Sequence, residues 1–244
     1  MSDQKLKTND QQLLSSGLYI VSTPIGNLGD ITLRALDVLK KVDLIACEDT
    51  RHTGLLLNHY NIKNRLTSFY EYNKKERTPE IISILKQGKS VALVSDAGTP
   101  GISDPGYYLI REAIRENLSV IPIPGPSALL SALVVSGLAS DRFAFEGFLQ
   151  KREGRKRKKL ESLKTEPRTM VFYDSPYRVI DSLKDMLEIL GDRYIVLVRE
   201  LTKKFETVMR GKISEIINEI ENKKIKGEIV LIVDGIHRGK DHHE

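Results

Sequence analysis

Residues 17–50 read "GLYIVSTPIGNLGDITLRALDVLKKVDLIACEDT". An apolar, β-branched run over 18–23 is followed by a loop rich in Pro, Gly and Asn. A helical pattern from Thr32 to about Lys41 comes next, then a second apolar run ending near Cys47. Strand, loop, helix, strand is the order of a βαβ unit, whose two strands lie parallel. The loop Thr23–Asp30 has glycines three apart, at Gly26 and Gly29, but not the G-x-G-x-x-G spacing of a dinucleotide site. On its own it is equally a plain βα turn or the wall of a ligand site.

Outward from this unit, further strands are expected at 90–95 ("SVALVS") and 119–123 ("SVIPI"), with helices before and after. Their continuous apolar character suits parallel strands covered on both faces. Between them lies "SDAGTPGISDPG", residues 95–106, in which Gly98, Gly101 and Gly106 admit positive φ or close backbone approach. Pro100 and Pro105 fix φ and remove amide donors. Asp104 before Pro105 predicts a helix start, and Tyr107, Ile110, Ile114 and Leu118 then recur at helical spacing. A third Pro/Gly passage precedes a helix that opens near Ser127. Three such loops at one end of a parallel sheet would line one crevice, where α/β proteins bind ligands.

The second half reads as a smaller α/β domain of mixed strands. It begins with "DRFAFEGFLQ", in which Phe143, Phe145 and Phe148 alternate imperfectly with polar or small residues. After "KREGRKRKK" come strand "TMVFYD", helix "PYRVIDSLKDMLEIL", strands "YIVLVRE" and "FETVMRG", helix "ISEIINEIENKK" and strand "GEIVLIVDG". The expected organisation is a flexible tail over 1–16, an N-terminal α/β domain with a parallel sheet over 17–125, a C-terminal α/β domain with a mixed sheet over 126–236, and a tail over 237–244.

The 244 residues suffice for a sizeable core in one large domain or two small ones. A formal charge of +5, from 38 Lys and Arg against 33 Asp and Glu, weakly favours an anionic partner. The single cysteine, Cys47, ends an apolar strand; it excludes an internal disulfide and fits packing in a reducing cytoplasm. No apolar run approaches membrane-spanning length, and residues 1–15 lack the apolar core of a signal peptide. His52 and His59 lie in or beside the segment after "EDTR", and His237, His242 and His243 sit in the tail, so no metal site is expected. "KREGRKRKK" has seven basic residues in nine. A solvated surface explains most charge runs, but this single-signed one suits phosphate contacts through Lys151, Arg152, Arg155, Lys156, Arg157, Lys158 and Lys159.

"TPIGNLGDIT", "EDTR", "SDAGTPGISDPG", "PIPGPSAL", "FYDSPYR", "RELTKKFE" and "GEIVLIV", in this order, resemble the tetrapyrrole methylase fold family over residues 17–235. Within it they are similar to the branch that methylates the ribose 2'-hydroxyl of cytidine 1402 in 16S ribosomal RNA. The resemblance implies a homodimer and S-adenosylmethionine bound between two α/β domains. It implies cofactor contacts from Pro24 and Gly26, from Gly98, Thr99 and Ile102, and from Ser127 and Ala128, with Tyr173, Leu201 and Glu228 from the second domain. Tyr173 and Leu201 are also readable as core filling. Glu48, Asp49 and Arg51 of "EDTR" form either a solvated turn or a site facing the acceptor nucleotide. In the second case Arg51 pairs phosphate and Glu48 or Asp49 takes a proton. Ribosomal RNA, within an assembled or nearly assembled small subunit, is the partner implied. Two rivals stay open: a methyltransferase for a tetrapyrrole macrocycle, and a noncatalytic RNA-binding assembly protein.

Overall fold

The computed structural model describes residues 14–103 and 105–236. It is an α/β structure with two compact units. One holds the chain up to Thr23 and Asp30–Gly125; the other holds Pro24–Gly29 and the chain from Pro126 onward. Residues 24–29, read from sequence as part of the first domain, thus group with the second.

The first unit contains β1 (Gly17–Val21), α1 (Leu33–Lys41), β2 (Leu44–Cys47), α2 (Thr50–His59), β3 (Leu66–Ser68), α3 (Lys74–Lys86), β4 (Ser90–Val94), α4 (Gly106–Arg115) and β5 (Val120–Ile123). All pairings in its sheet are parallel, in the order β3-β2-β4-β1-β5. Every residue of β1, β2 and β4 is buried, because helices cover both faces. Alternate side chains divide between them: Tyr19, Val21, Ile45 and Val94 pack with Val38 and Leu39 of α1 and Leu56 and Leu57 of α2. Leu18, Ile20, Ala46 and Leu93 pack with Ile81 and Leu85 of α3 and Leu109 and Ala113 of α4. The expectation of two-sided burial fails for β5, which lies at the sheet edge with Pro122 exposed. An edge position tolerates a residue that cannot donate to a ladder.

Two helix starts follow from their caps. The Thr32 hydroxyl accepts from the Ala35 amide at 3.1 Å, and the Asp49 carboxylate accepts from the Arg51 amide at 2.8 Å. Each such cap is worth about 1 kcal/mol. For α4 the recurring set Tyr107, Ile110, Ile114 and Leu118 does not form one buried stripe: Tyr107 and Ile114 are exposed, and Gly106, Leu109 and Ala113 face inward. The inner face is marked by small residues, which let the helix lie close on the strands. A Cβ at Gly106 would stand 2.9 Å from the Gly101 nitrogen and 3.1 Å from Leu93 Cδ2. The helix begins at Gly106 after Pro105; Asp104, the expected cap, lies outside the described residues.

The second unit contains α5 (Ala128–Ser136), β6 (Phe143–Phe148), α6 (Glu153–Ser162), β7 (Thr169–Asp174), α7 (Val179–Leu190), β8 (Tyr194–Arg199), β9 (Thr207–Lys212), α8 (Ile213–Ile220) and β10 (Ile229–Val233). Its sheet is mixed, in the order β6-β7-β10-β8-β9, with β6 and β7 parallel and the other pairs antiparallel. One face, with Met170, Phe172, Leu197 and Leu231, is covered by α6, α7 and α8 through Leu160, Leu183, Met186 and Ile217. The other, with Val171, Val198, Val230 and Ile232, meets Ala132 and Leu133 of α5 together with Ile25 and Leu201. Each large apolar side chain so buried contributes roughly 1.5–3 kcal/mol. The imperfect alternation of β6 is a bulge: its register on β7 shifts between Phe145 and Gly147, where Gly147 has φ +64°. Phe145 and Phe148 therefore both reach Tyr173, with ring centroids 5.0 and 5.4 Å away. No helix among the described residues is long and apolar enough to cross a membrane.

Candidate functional site

The strand order of the first unit creates a switch point. β1 connects through α1 to β2 on one side of it, and β4 connects through α4 to β5 on the other, while β1 and β4 themselves are neighbours. Loops leaving adjacent parallel strands in opposite directions open a crevice at their carboxyl ends, the usual place for a ligand in such sheets. Here the two loops are tied together. Thr23 and Gly98 exchange backbone hydrogen bonds, Thr23 N to Gly98 O at 2.9 Å and Gly98 N to Thr23 O at 3.0 Å. The Thr23 hydroxyl donates to the Ser95 carbonyl at 3.0 Å, and the Ser22 and Thr99 hydroxyls are 2.9 Å apart. Gly98 has φ +80° and Gly101 φ +86°, conformations that side chains resist. Thr99 and Ile102 sit in the same loop, Thr99 partly buried and Ile102 exposed.

Beside this loop stand three carboxylates. The Asp49 amide donates to Asp96 Oδ1 at 3.1 Å, and Glu48 lines a small cavity with Pro100, Pro105 and Gly106. Burial pushes the Glu48 carboxyl above its ordinary range, with the negative charges of Asp96 and Asp49 adding to the effect. Asp49 goes the other way. Arg51 donates to it from Nε at 3.1 Å and from a terminal nitrogen at 2.7 Å, which holds it well below the usual carboxylate range. Asp49 is thus engaged as helix cap and ion-pair partner, whereas burial makes the Glu48 carboxyl hold its proton more readily than an ordinary glutamate. Burial pushes the Cys47 thiol up to about 11, so it stays protonated at neutral pH. Asp96 is not among the acids expected from sequence, which does not show which of several loop acids faces another.

The remaining cofactor candidates lie in the second unit. Pro24 and Gly26 precede the 3-10 turn at Leu28–Asp30, and Ser127 caps α5 by accepting from the Leu130 amide at 3.4 Å, with Ala128 next to it. Ala128, Tyr173 and Leu201 share the sheet face that holds Ile25. Gly26 has a packing reason to be glycine: a Cβ there would stand 2.4 Å from Lys203 Cγ and 2.9 Å from the Thr202 hydroxyl. Lys203 in turn pairs with Glu228 at 3.0 Å and Glu200 at 3.1 Å. Gly26, Leu201 and Glu228 are therefore brought to one turn, 200–203, in which Glu200 and Thr202 both adopt positive φ. Leu201 is buried, and the largely exposed Glu228 carboxylate shares Lys203 with Glu200.

The basic run divides. Lys156 is buried and pairs with Asp185 at 2.6 Å; Arg157 pairs with Asp185 at 2.6 Å and also with Glu188; Lys159 pairs with Glu146. These three hold α6 in place. Lys151, Arg152, Arg155 and Lys158 are exposed and make no ion pair among the described residues. No group of three or more His, Cys, Asp or Glu side chains able to hold a metal occurs among the described residues; His237, His242 and His243 lie outside them.

A parallel unit with tied switch-point loops, joined in one chain to a mixed-sheet unit, is the arrangement of a known class: residues 17–217 match the Tetrapyrrole (Corrin/Porphyrin) Methylases, and the chain belongs to that family. Within it the chain is 50% identical over 228 residues to ribosomal RNA small subunit methyltransferase I of Escherichia coli O157:H7, covering 92% of this chain and 79% of that protein. It is 54% identical over 218 residues to the protein of the same name from Thermotoga maritima, covering 89% and 98%. Among solved structures it resembles uroporphyrin-III-C-methyltransferase from Thermus thermophilus, with a TM-score of 0.63 at 19% identity over 90% of this chain and 94% of that one. It also resembles diphthine synthase, with a TM-score of 0.67 at 15% identity over 89% of each chain. Those two likenesses are of fold.

Proposed function

We propose that this chain is an S-adenosylmethionine-dependent methyltransferase of small-subunit ribosomal RNA, that its acceptor is the ribose 2'-hydroxyl of cytidine 1402, and that it works in the cytoplasm as a homodimer. The observation that carries the reading is the tied pair of switch-point loops, Thr23 on Gly98 and Ser22 on Thr99, in a chain about half identical to proteins named for methylating this RNA. The residues fit the cofactor. Open backbone at Gly98 and Gly101 allows close approach, the hydroxyls of Ser22 and Thr99 offer uncharged polar contacts, and the carboxylates beside the loop suit a cationic ligand. When bound, S-adenosylmethionine supplies an electrophilic methyl carried on its own leaving group, so the protein's task is to hold and orient it.

Gly98, Thr99 and Ile102 are assigned to holding the cofactor from the first unit, with Pro24, Gly26, Ser127, Ala128, Tyr173, Leu201 and Glu228 assigned from the second. Glu48 is the assigned base. A ribose hydroxyl is a poor nucleophile until its proton is taken, and a carboxyl raised by burial is a stronger acceptor than Asp49, which Arg51 already neutralises. Arg51 keeps its exposed guanidinium at the rim, where it can also meet phosphate. Exposed apolar side chains at Leu130 and Val134 of α5 support self-association. The test is methyl transfer from labelled S-adenosylmethionine to purified small subunits lacking this modification, with mass spectrometry to locate the label. The expected product is one ribose methyl at cytidine 1402. Label on another nucleotide would correct the acceptor, and absence of label with bound cofactor would overturn the enzymatic reading.

A further inference from the structure

We propose that the second unit carries a groove for a single-stranded RNA segment, in which Tyr177 and Phe148 offer faces to an unstacked base and Lys151, Arg152, Arg155 and Arg178 hold the neighbouring phosphates. It rests on the ribosomal RNA reading and adds the surface that takes the strand. These six residues line one open groove of about 880 Å³. That volume is ample for a nucleotide, since small-molecule sites run to roughly 300–1,000 Å³.

The lining is cationic and aromatic. Tyr177 is 96% exposed and Phe148 52% exposed, so neither ring is used up by the core. The Phe148 ring lies tilted against Tyr173, with centroids 5.4 Å apart, so the groove adjoins one residue assigned to the cofactor. The cations at the groove are those left over from the scaffold. Lys156, Arg157 and Lys159 are tied to acids, whereas Lys151, Arg152 and Arg155 make no ion pair among the described residues. Arg178 is fixed by Asp174, Nε to Oδ1 at 2.7 Å, and one of its terminal nitrogens is buried without a hydrogen-bond partner among the described residues. Both α6 and α7 begin at this groove, with Arg152 and Arg178 at the cap positions supplying no side-chain acceptor. The positive ends of two helices thus add to the side-chain charge. Phosphates need the cations; only an unpaired base needs the rings, because a duplex keeps its base faces stacked away.

The experiment measures binding of a single-stranded oligocytidylate of about eight nucleotides, and of an RNA duplex of the same length, to the full chain across a salt series. Tyr177→Ala is expected to weaken single-strand binding about tenfold, with Tyr177→Phe restoring it and duplex binding unmoved. The triple variant Lys151→Ala/Arg152→Ala/Arg155→Ala is expected to reduce the single-strand salt slope by about 2, at about 0.7 for each phosphate no longer neutralised. Lys224→Ala, at an exposed lysine outside the groove lining, should leave the slope unchanged. Tyr177→Ala binding within twofold of wild type, or a wild-type preference for duplex, overturns the stacking role; an unchanged salt slope in the triple variant overturns the phosphate role. Failure here leaves the wild type transferring methyl to small subunits, so it is distinguishable from failure of the enzymatic reading. Because Tyr177 is so exposed, its removal leaves the fold intact, and circular dichroism of each variant checks this.

Discussion

Removing the Asp185 carboxylate should loosen the seating of α6 and lower the stability of the chain. Lys156 Nζ and one Arg157 nitrogen both lie 2.6 Å from Asp185, and the Lys156 and Asp185 side chains are only 11% and 12% exposed. Asp185→Asn leaves the Lys156 ammonium largely out of water with no counter-charge, while Arg157 retains Glu188. Breaking a buried pair from one side costs about 3–5 kcal/mol, and the residual exposure and the long lysine stem place this case near the lower figure. For a chain of this size each kcal/mol lowers Tm by about 2–4 °C, so a loss of roughly 6–12 °C is expected in a calorimetric scan. Replacing the pair together, Lys156→Met with Asp185→Leu, should return Tm to within a few degrees of wild type, since the desolvation of both charges is then removed. Lys156→Met should also leave the RNA salt slope where it was. A shift below about 2 °C for Asp185→Asn, or a salt slope that falls by about 0.7 in Lys156→Met, would refute the division of the basic run into scaffold and surface.

Gly98→Val places a β-branched side chain at φ +80° in the loop tied to Thr23; titration calorimetry should show S-adenosylmethionine affinity falling at least tenfold while circular dichroism stays native. Glu48→Gln should lower kcat about a hundredfold or more with cofactor affinity unchanged, and should abolish the acid limb of the pH–rate profile, since the wild-type base is lost as pH falls through its raised pKa. A rate within threefold of wild type would return proton removal to solvent. The Glu166 carboxyl is held down to about 2 by the Arg168 guanidinium, so its stabilisation is complete above about 4.5 and is lost as pH falls toward about 2. The Tm difference between wild type and Glu166→Gln should therefore shrink over that interval, and a difference independent of pH would remove the ion pair as its cause.

The parts of the fold legible in sequence were those where one residue type has one physical job. Thr32 and Ser127 mark helix starts because a hydroxyl satisfies the first turn, and the apolar runs of β1, β2 and β4 signal strands covered on both faces. Legibility fell where small residues do the packing. The inner face of α4 rests on Gly106 and Ala113, while the bulky Tyr107 and Ile114 point out, so a scan for large apolar residues finds the wrong side. The three-residue edge strand Leu66–Ser68 carries too little pattern to stand out. In the site, the Pro/Gly loops announced themselves through composition. Which acid is capped, which is buried and which lysines are already paired depends on partners far apart in sequence: Asp96 lies 47 residues from Asp49, and Asp185 lies 28 from Arg157.

The assignment of residues 24–29 to the second unit bears on how this chain can be cut. Ile25 sits in a cluster with Ala132, Leu133, Val198 and Leu201, although more than a hundred residues separate it in sequence from the nearest of them. A gene fragment starting at Pro126 would encode every strand of the mixed sheet yet lack the Ile25 side chain that packs on it, and one ending at Gly125 would carry the 24–29 loop without the residues that Ile25 packs against. Neither half is a transferable module. Recombination between relatives at the apparent boundary would have to exchange two matched pieces at once, so the first loop and the second unit are expected to be inherited as a set.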